Sequence, residues 1–101
     1  METALWTWGG EYFGYREDDE LWAHHGRLVG KFRGDEVYGD DGEYLGEIRD
    51  GDRLITKTAS KHKRAGSFGI RQRGARGLRG LRGMRGLIGG YEDFPSPDAF
   101  Q

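Results

Sequence analysis

The chain contains no cysteine and only two prolines in 101 residues. The first absence excludes a disulfide framework and any thiolate metal site. The second excludes collagen for the Gly-X-Y run near the C-terminus, which holds no proline and too few triplets for a triple helix. No stretch of about 20 apolar residues occurs, so no transmembrane helix is expected. The N-terminus, Met1-Glu2-Thr3-Ala4-Leu5-Trp6, lacks a basic and then apolar leader, and a cytoplasmic location is the default expectation. A single domain with a tail fits the length. Such a chain buries about 60–65 % of its unfolded surface, so its core is thin. The three Trp, five Tyr and five Phe must supply much of that core.

What is present is repetition. Gly10, Gly26 and Gly42 lie sixteen residues apart, as do Gly14, Gly30 and Gly46, and Trp6, Trp22 and Tyr38, with Leu54 next in line. A fixed period defines a structural unit. Each unit centres on an X-Gly pair, Gly9-Gly10, His25-Gly26 or Asp41-Gly42, flanked by aromatic and β-branched residues. This pattern predicts short β-hairpins with two-residue type I′ turns. Such a turn sets Trp6 opposite Phe13, Trp22 opposite Val29 and Tyr38 opposite Leu45, with those pairs directed at a common core. It also sets Leu5, Leu21 and Val37 opposite Gly14, Gly30 and Gly46, where glycine permits close approach. The fourth unit begins at Arg53-Leu54-Ile55 and then loses the pattern. Isolated hairpins are marginal in water, so the copies must pack on one another. The expected fold is all-β: four short hairpin repeats in a pseudo-four-fold radial flower, followed by an extended Arg/Gly/Leu arm.

Charge divides the chain into three parts. Residues 1–55 hold 14 acidic and 6 basic side chains, residues 56–90 hold 10 basic and no acidic ones, and residues 91–101 add three acids. The expected organisation is a hairpin domain at 1–66, a basic arm at 67–90 and an acidic-aromatic segment at 91–101. From Gln72 the arm repeats every three residues, a period that matches polyproline II rather than helix or strand. Arg73, Arg76, Arg79, Arg82 and Arg85 then form one stripe, and Ala75, Leu78, Leu81, Met84 and Leu87 another. Such an arm either folds onto its own acidic body or meets a partner.

These features, in this order, resemble the small bacterial proteins called four-fold beta flower domain proteins. Members share X-Gly hairpins with a further glycine after the aromatic strand. Lys/Arg-Pro-Leu triplets and an acidic-aromatic end follow. The resemblance runs from about Leu5 to Phe100 and departs where glycine replaces the triplet proline. It implies the flower fold and a bacterial source. The family carries no settled activity, so no functional residue is transferred.

Catalytic and metal constellations are lacking. His24-His25 and His62 have neither the ligand count nor the spacing of a metal site. Asp40-Asp41-Gly42 reads as a turn, not as an EF-hand fragment. Acid pairs such as Asp18-Asp19 show no environment that would separate their pKa values. No Ser/His/Asp order or phosphate-cradling loop occurs. No enzymatic activity, cofactor or metal is expected. The principal expectation is a non-enzymatic interaction or structural module, with a protein partner or self-association. The alternative is binding of a polyanion (RNA, single-stranded nucleic acid or an anionic membrane) through Arg73, Arg76, Arg79, Arg82 and Arg85. Tyr91, Phe94 and Phe100 are candidates for a docking segment, weighed against a terminus that folds back on its own chain.

Overall fold

Strand propensity and turn glycines set the local structure, and ring closure makes it a domain. The computed structural model describes residues 2–69, 71–86 and 88–100. Seven strands follow in order: β1 (Glu2–Thr7), β2 (Tyr12–Glu17), β3 (Glu20–Ala23), β4 (Leu28–Arg33), β5 (Glu36–Gly39), β6 (Tyr44–Arg49) and β7 (Arg53–Lys57). Each pairs antiparallel with the next. β7 returns to β1 in parallel through Trp6–Arg53 and Thr7–Leu54, closing a seven-strand barrel. Closure removes the exposed edges that short strands otherwise leave.

The loops at the X-Gly pairs hold three residues, not two. Gly10 N–H bonds the Thr7 carbonyl at 2.9 Å, and Thr7 N–H bonds the Glu11 carbonyl at 2.8 Å. The same pattern joins Ala23, Gly26 and Arg27, and Gly39, Gly42 and Glu43. Positive φ occurs at Gly10 (99°), Gly26 (104°) and Gly42 (84°) but not at the residues before them. A type I′ turn needs it at both positions, so these loops are of the bulged kind.

The extra residue shifts the register. Leu5, Leu21 and Val37 face Gly14, Gly30 and Gly46 as expected, but Trp6 faces Tyr12, Trp22 faces Leu28 and Tyr38 faces Tyr44. Alternation then decides which side each residue takes. Leu5, Phe13, Leu21, Val29, Val37 and Leu54 form the interior. Trp6, Trp22 and Tyr38 lie outside the barrel, contrary to the expectation that they point to its axis. They are nonetheless buried, at 4 %, 1 % and 7 % exposure. Something must cover them.

The glycines opposite Leu5, Leu21 and Val37 allow close approach, but to the following strand. A Cβ on Gly14 would sit 1.9 Å from the Trp22 carbonyl oxygen, and one on Gly30 2.5 Å from that of Tyr38.

The fourth unit is out of frame by one residue. Two residues join β2 to β3 and β4 to β5, whereas Asp50-Gly51-Asp52 joins β6 to β7. Leu54 therefore takes the interior place of Leu5, not the outer place of Trp6. After β7 the chain enters a 3-10 helix at Thr58–Ser60 instead of turning straight back. The free half of β7 pairs with β8 (Tyr91–Asp93), which comes from the C-terminal segment. Phe94 follows and enters the core, 5.2 Å from Phe13 centre to centre and edge-on to it. Phe100, in a 3-10 helix at Pro97–Phe100, packs on the same Phe13 ring. Phe94 is thus no free docking residue: it completes the barrel's own core.

Candidate interaction site: the arginine arm and its outer ridge

The arm supplies the cover over Trp6 and Trp22, while Tyr38 packs edge-on to Tyr44. In polyproline II, residues i and i+3 point the same way, so a period-three chain can address one surface repeatedly. Contacts three residues apart occur at each of the three glycine loops, those at the Gly42 loop from the stretch leading into the triplets. Ala65 N–H bonds the Gly42 carbonyl at 2.8 Å, and Phe68 N–H that of Asp40 at 3.1 Å. Arg73 and Arg76 repeat this with Gly26 and His24, both at 2.6 Å. Arg82 and Arg85 repeat it with Gly10 and Trp8, at 2.9 and 3.0 Å. The arm thus runs backwards past the loops, with two backbone bonds three residues apart at each. The barrel glycines make room for it: a Cβ on Gly26 would lie 1.9 Å from the Arg73 carbonyl oxygen.

The guanidiniums face inward. Arg73 lies 3.8 Å from the centre of the Trp22 ring, Arg76 4.4 Å from Tyr15 and Arg82 3.9 Å from Trp6. A cation over an electron-rich face is attracted, most strongly over Trp. Acids complete the contacts. Arg73 holds both carboxylate oxygens of Glu17, at 3.2 and 3.3 Å. Arg76 pairs with Glu2, Arg82 with Asp52 at 3.3 Å and Arg85 with Asp50 at 3.9 Å. Arg71, just before the first triplet, pairs with Glu20. The Trp6 and Trp8 indole N–H groups each donate at 2.8 Å to an arm carbonyl, of Gly80 and Gly86 respectively.

Ionisation follows this geometry. The Arg73 hydrogen bonds hold the Glu17 carboxyl below its ordinary value of 4.5. Lys63, on the stretch leading into the arm, lowers Glu36 in the same way at 2.8 Å. His24 is held below 6.5, first by burial and then by the charge of His25, while Asp98 and Glu11 act in the opposite sense.

Of the five arginines singled out in the sequence, Arg79 differs: among the described residues it has no acidic partner within 4 Å. It lies between the stretches anchored at the Gly26 and Gly10 loops. Beneath that span is an open cleft of about 240 Å³ lined by Glu2, Ala4, Tyr12, Tyr15, Arg76, Gly77 and Arg79.

With arginine turned inward, the apolar stripe turns outward. Leu78, Leu81 and Met84 are 73 %, 82 % and 80 % exposed, the large apolar side chains left open on the described surface. Leu87, expected in the same stripe, lies outside the described residues. Of the acidic-aromatic segment, Phe94 is interior, Phe100 packs on the core, and Tyr91 lies on β8 beneath the Arg49 guanidinium at 5.1 Å. The His25 Nε2 lies 2.9 Å from the Pro97 carbonyl and so donates to it, tying this segment to the second glycine loop.

Sequence reasoning missed that Trp6 and Trp22 are the platform for the arm. The signal was present: acids and aromatics recur every sixteen residues, and the arm offers arginine every three. Among the described residues no three His, Asp or Glu side chains gather as a metal ion would need, and no helix is long and apolar enough to cross a membrane. In comparison with known proteins, no family model matches the chain, and neither a curated protein nor a solved structure gives a significant match.

Proposed function

We propose that the chain is a small non-enzymatic protein-interaction module of the four-fold beta flower kind, whose arm presents Leu78, Leu81 and Met84 to a protein partner. The observation that carries this reading is their exposure on a segment anchored from beneath. Monomeric proteins seldom expose a contiguous row of large apolar side chains without a use for it. Anchoring by Arg73, Arg76, Arg82 and Arg85 keeps the row extended before a partner arrives, which lowers the ordering cost of binding. The glycine loops serve this design by supplying similar anchor points along the chain.

The polyanion reading has less support. Four of the five arginines expected to contact phosphate already pair with acids of the same chain.

A photo-crosslinking side chain at Leu81, in cells that make the protein, tests the proposal. A discrete adduct of one partner protein, lost when Leu78 and Met84 become serine, is the expected result. Absence of any protein adduct, with crosslinking to nucleic acid or lipid instead, overturns it.

A further inference from the structure

The arm is also a ligand, and the surface beneath it is a receptor. The two glycine loops nearest the N-terminus present equivalent sets of groups to it. At the second loop the carbonyls of His24 and Gly26 take two N–H groups three residues apart, while Trp22 and Tyr15 lie under the two guanidiniums. At the first loop the carbonyls of Trp8 and Gly10 take the next pair, and Trp6 lies under the leading guanidinium. Each set also holds acids, Glu17 and Glu2 at one and Asp52 and Asp50 at the other. Arg73 and Arg82 stand nine residues apart, three full turns of polyproline II.

In each set the two contacted arginines stand three residues apart, Arg73 and Arg76 in one and Arg82 and Arg85 in the other. The arm's own glycines are not part of the recognition: a Cβ at Gly74, Gly77, Gly80, Gly83 or Gly86 would meet nothing within 4 Å. Arginine is specified over lysine because its plane both stacks on a ring and grips a carboxylate with two N–H groups, as Arg73 does. The intervening positions point to solvent and are unread, as Leu78 and Leu81 show.

We propose that the Trp22/Tyr15 and Trp6 surfaces form a binding site for extended peptides with arginine at every third residue, and that such a peptide from another molecule can take the arm's place. This is separate from the reading of the Leu78–Met84 row and does not rest on it. The arm competes from within the chain. Tethering gives it an effective concentration in the millimolar range, so an outside peptide binds well only when the arm is weakened or the peptide abundant.

The test uses the full-length chain with Arg73, Arg76, Arg82 and Arg85 changed to Ala, all of them outside the barrel strands and β8. The probe is a fluorescein-labelled synthetic peptide of the wild-type sequence of residues 71–86, followed by anisotropy and by Trp fluorescence. The expected result is binding to the variant at least about tenfold tighter than to the wild type, whose tethered arm competes. A peptide with arginines spaced by two or by four should bind several-fold more weakly, and so should one with lysine for arginine. A peptide with alanine for each glycine should bind as well. A folded variant that fails to bind the peptide at 1 mM (roughly the arm's own effective concentration) overturns the proposal, as does equal binding of the lysine peptide. Should the variant not fold, hydrogen exchange on the wild type decides. With the peptide added at several millimolar, exchange of the Arg73, Arg76, Arg82 and Arg85 amides faster than without it supports the proposal, and unchanged exchange overturns it.

Discussion

The guanidinium of Arg73 lies 3.8 Å from the centre of the Trp22 ring while gripping both oxygens of Glu17. The two stacked residues are 51 positions apart in the chain. One contact thereby joins the basic arm to the acidic, aromatic body and leaves Leu78 and Leu81 on the far side.

Replacing that arginine should loosen the arm before it harms the barrel. Arg73→Ala is expected to lower Tm by roughly 5 °C, a modest loss for a domain of this size. Arg73→Lys should fall between the variant and the wild type, because lysine keeps the charge but loses the planar stack. Thermal melts check this, and a lysine variant as stable as the wild type would reduce the contact to charge alone.

The indole contacts are separable from the rings. Trp6→Phe keeps a buried ring but removes the N–H that donates to Gly80. The expected loss is about 1 kcal/mol, that of one hydrogen bond, read by urea denaturation.

Glycines should divide sharply by place. Gly14→Ala drives a Cβ into the Trp22 carbonyl and should cost more than about 3 kcal/mol or prevent folding. Gly80→Ala meets nothing and should be neutral or stabilise by about 0.5 kcal/mol through the unfolded chain. Equal effects of the two substitutions would contradict the packing described.

Phe94→Ala removes a ring from the core, with an expected loss of about 3–5 kcal/mol. Denaturation of this variant distinguishes a core residue from a docking residue, whose loss would leave stability unchanged.

Acid should destabilise the protein in two windows. His24 is depressed in the folded state, so the unfolded chain binds its proton first and stability falls as pH drops below about 6.5. Glu17 and Glu36 are also depressed, so a second fall begins near 4.5 and continues through their folded values. In a series of melts against pH, His24→Gln should remove the first fall and Glu17→Gln should shrink the second.

Much of the architecture was legible in the residues themselves. Strand propensity marked the all-β class, and Gly10, Gly26 and Gly42 marked three of the turns. The pairing of Leu5, Leu21 and Val37 with glycine followed from either loop length. The side taken by Trp6, Trp22 and Tyr38 did not. The extra loop residue moves Phe13 and Val29 to the side of Leu5 and Leu21, and that combined apolar set becomes the interior. The docking role considered for Phe94 met the same limit, because its place in the core depends on β8 finding the open half of β7.

The sequence by itself determined the all-β class, the glycines at the turns and the separation of acid from base. These are local properties, set by propensity and residue order. Only the tertiary structure decided which stripe of the arm meets the barrel. Burying leucine and burying arginine are both open to a free peptide. Ring closure placed Trp6, Trp22 and Tyr15 beside Glu2, Glu17 and Asp52 on the outer wall, and that surface favours a guanidinium over an alkyl chain. Leu78, Leu81 and Met84 face outward because Arg73, Arg76 and Arg82 face the rings and acids of the barrel wall.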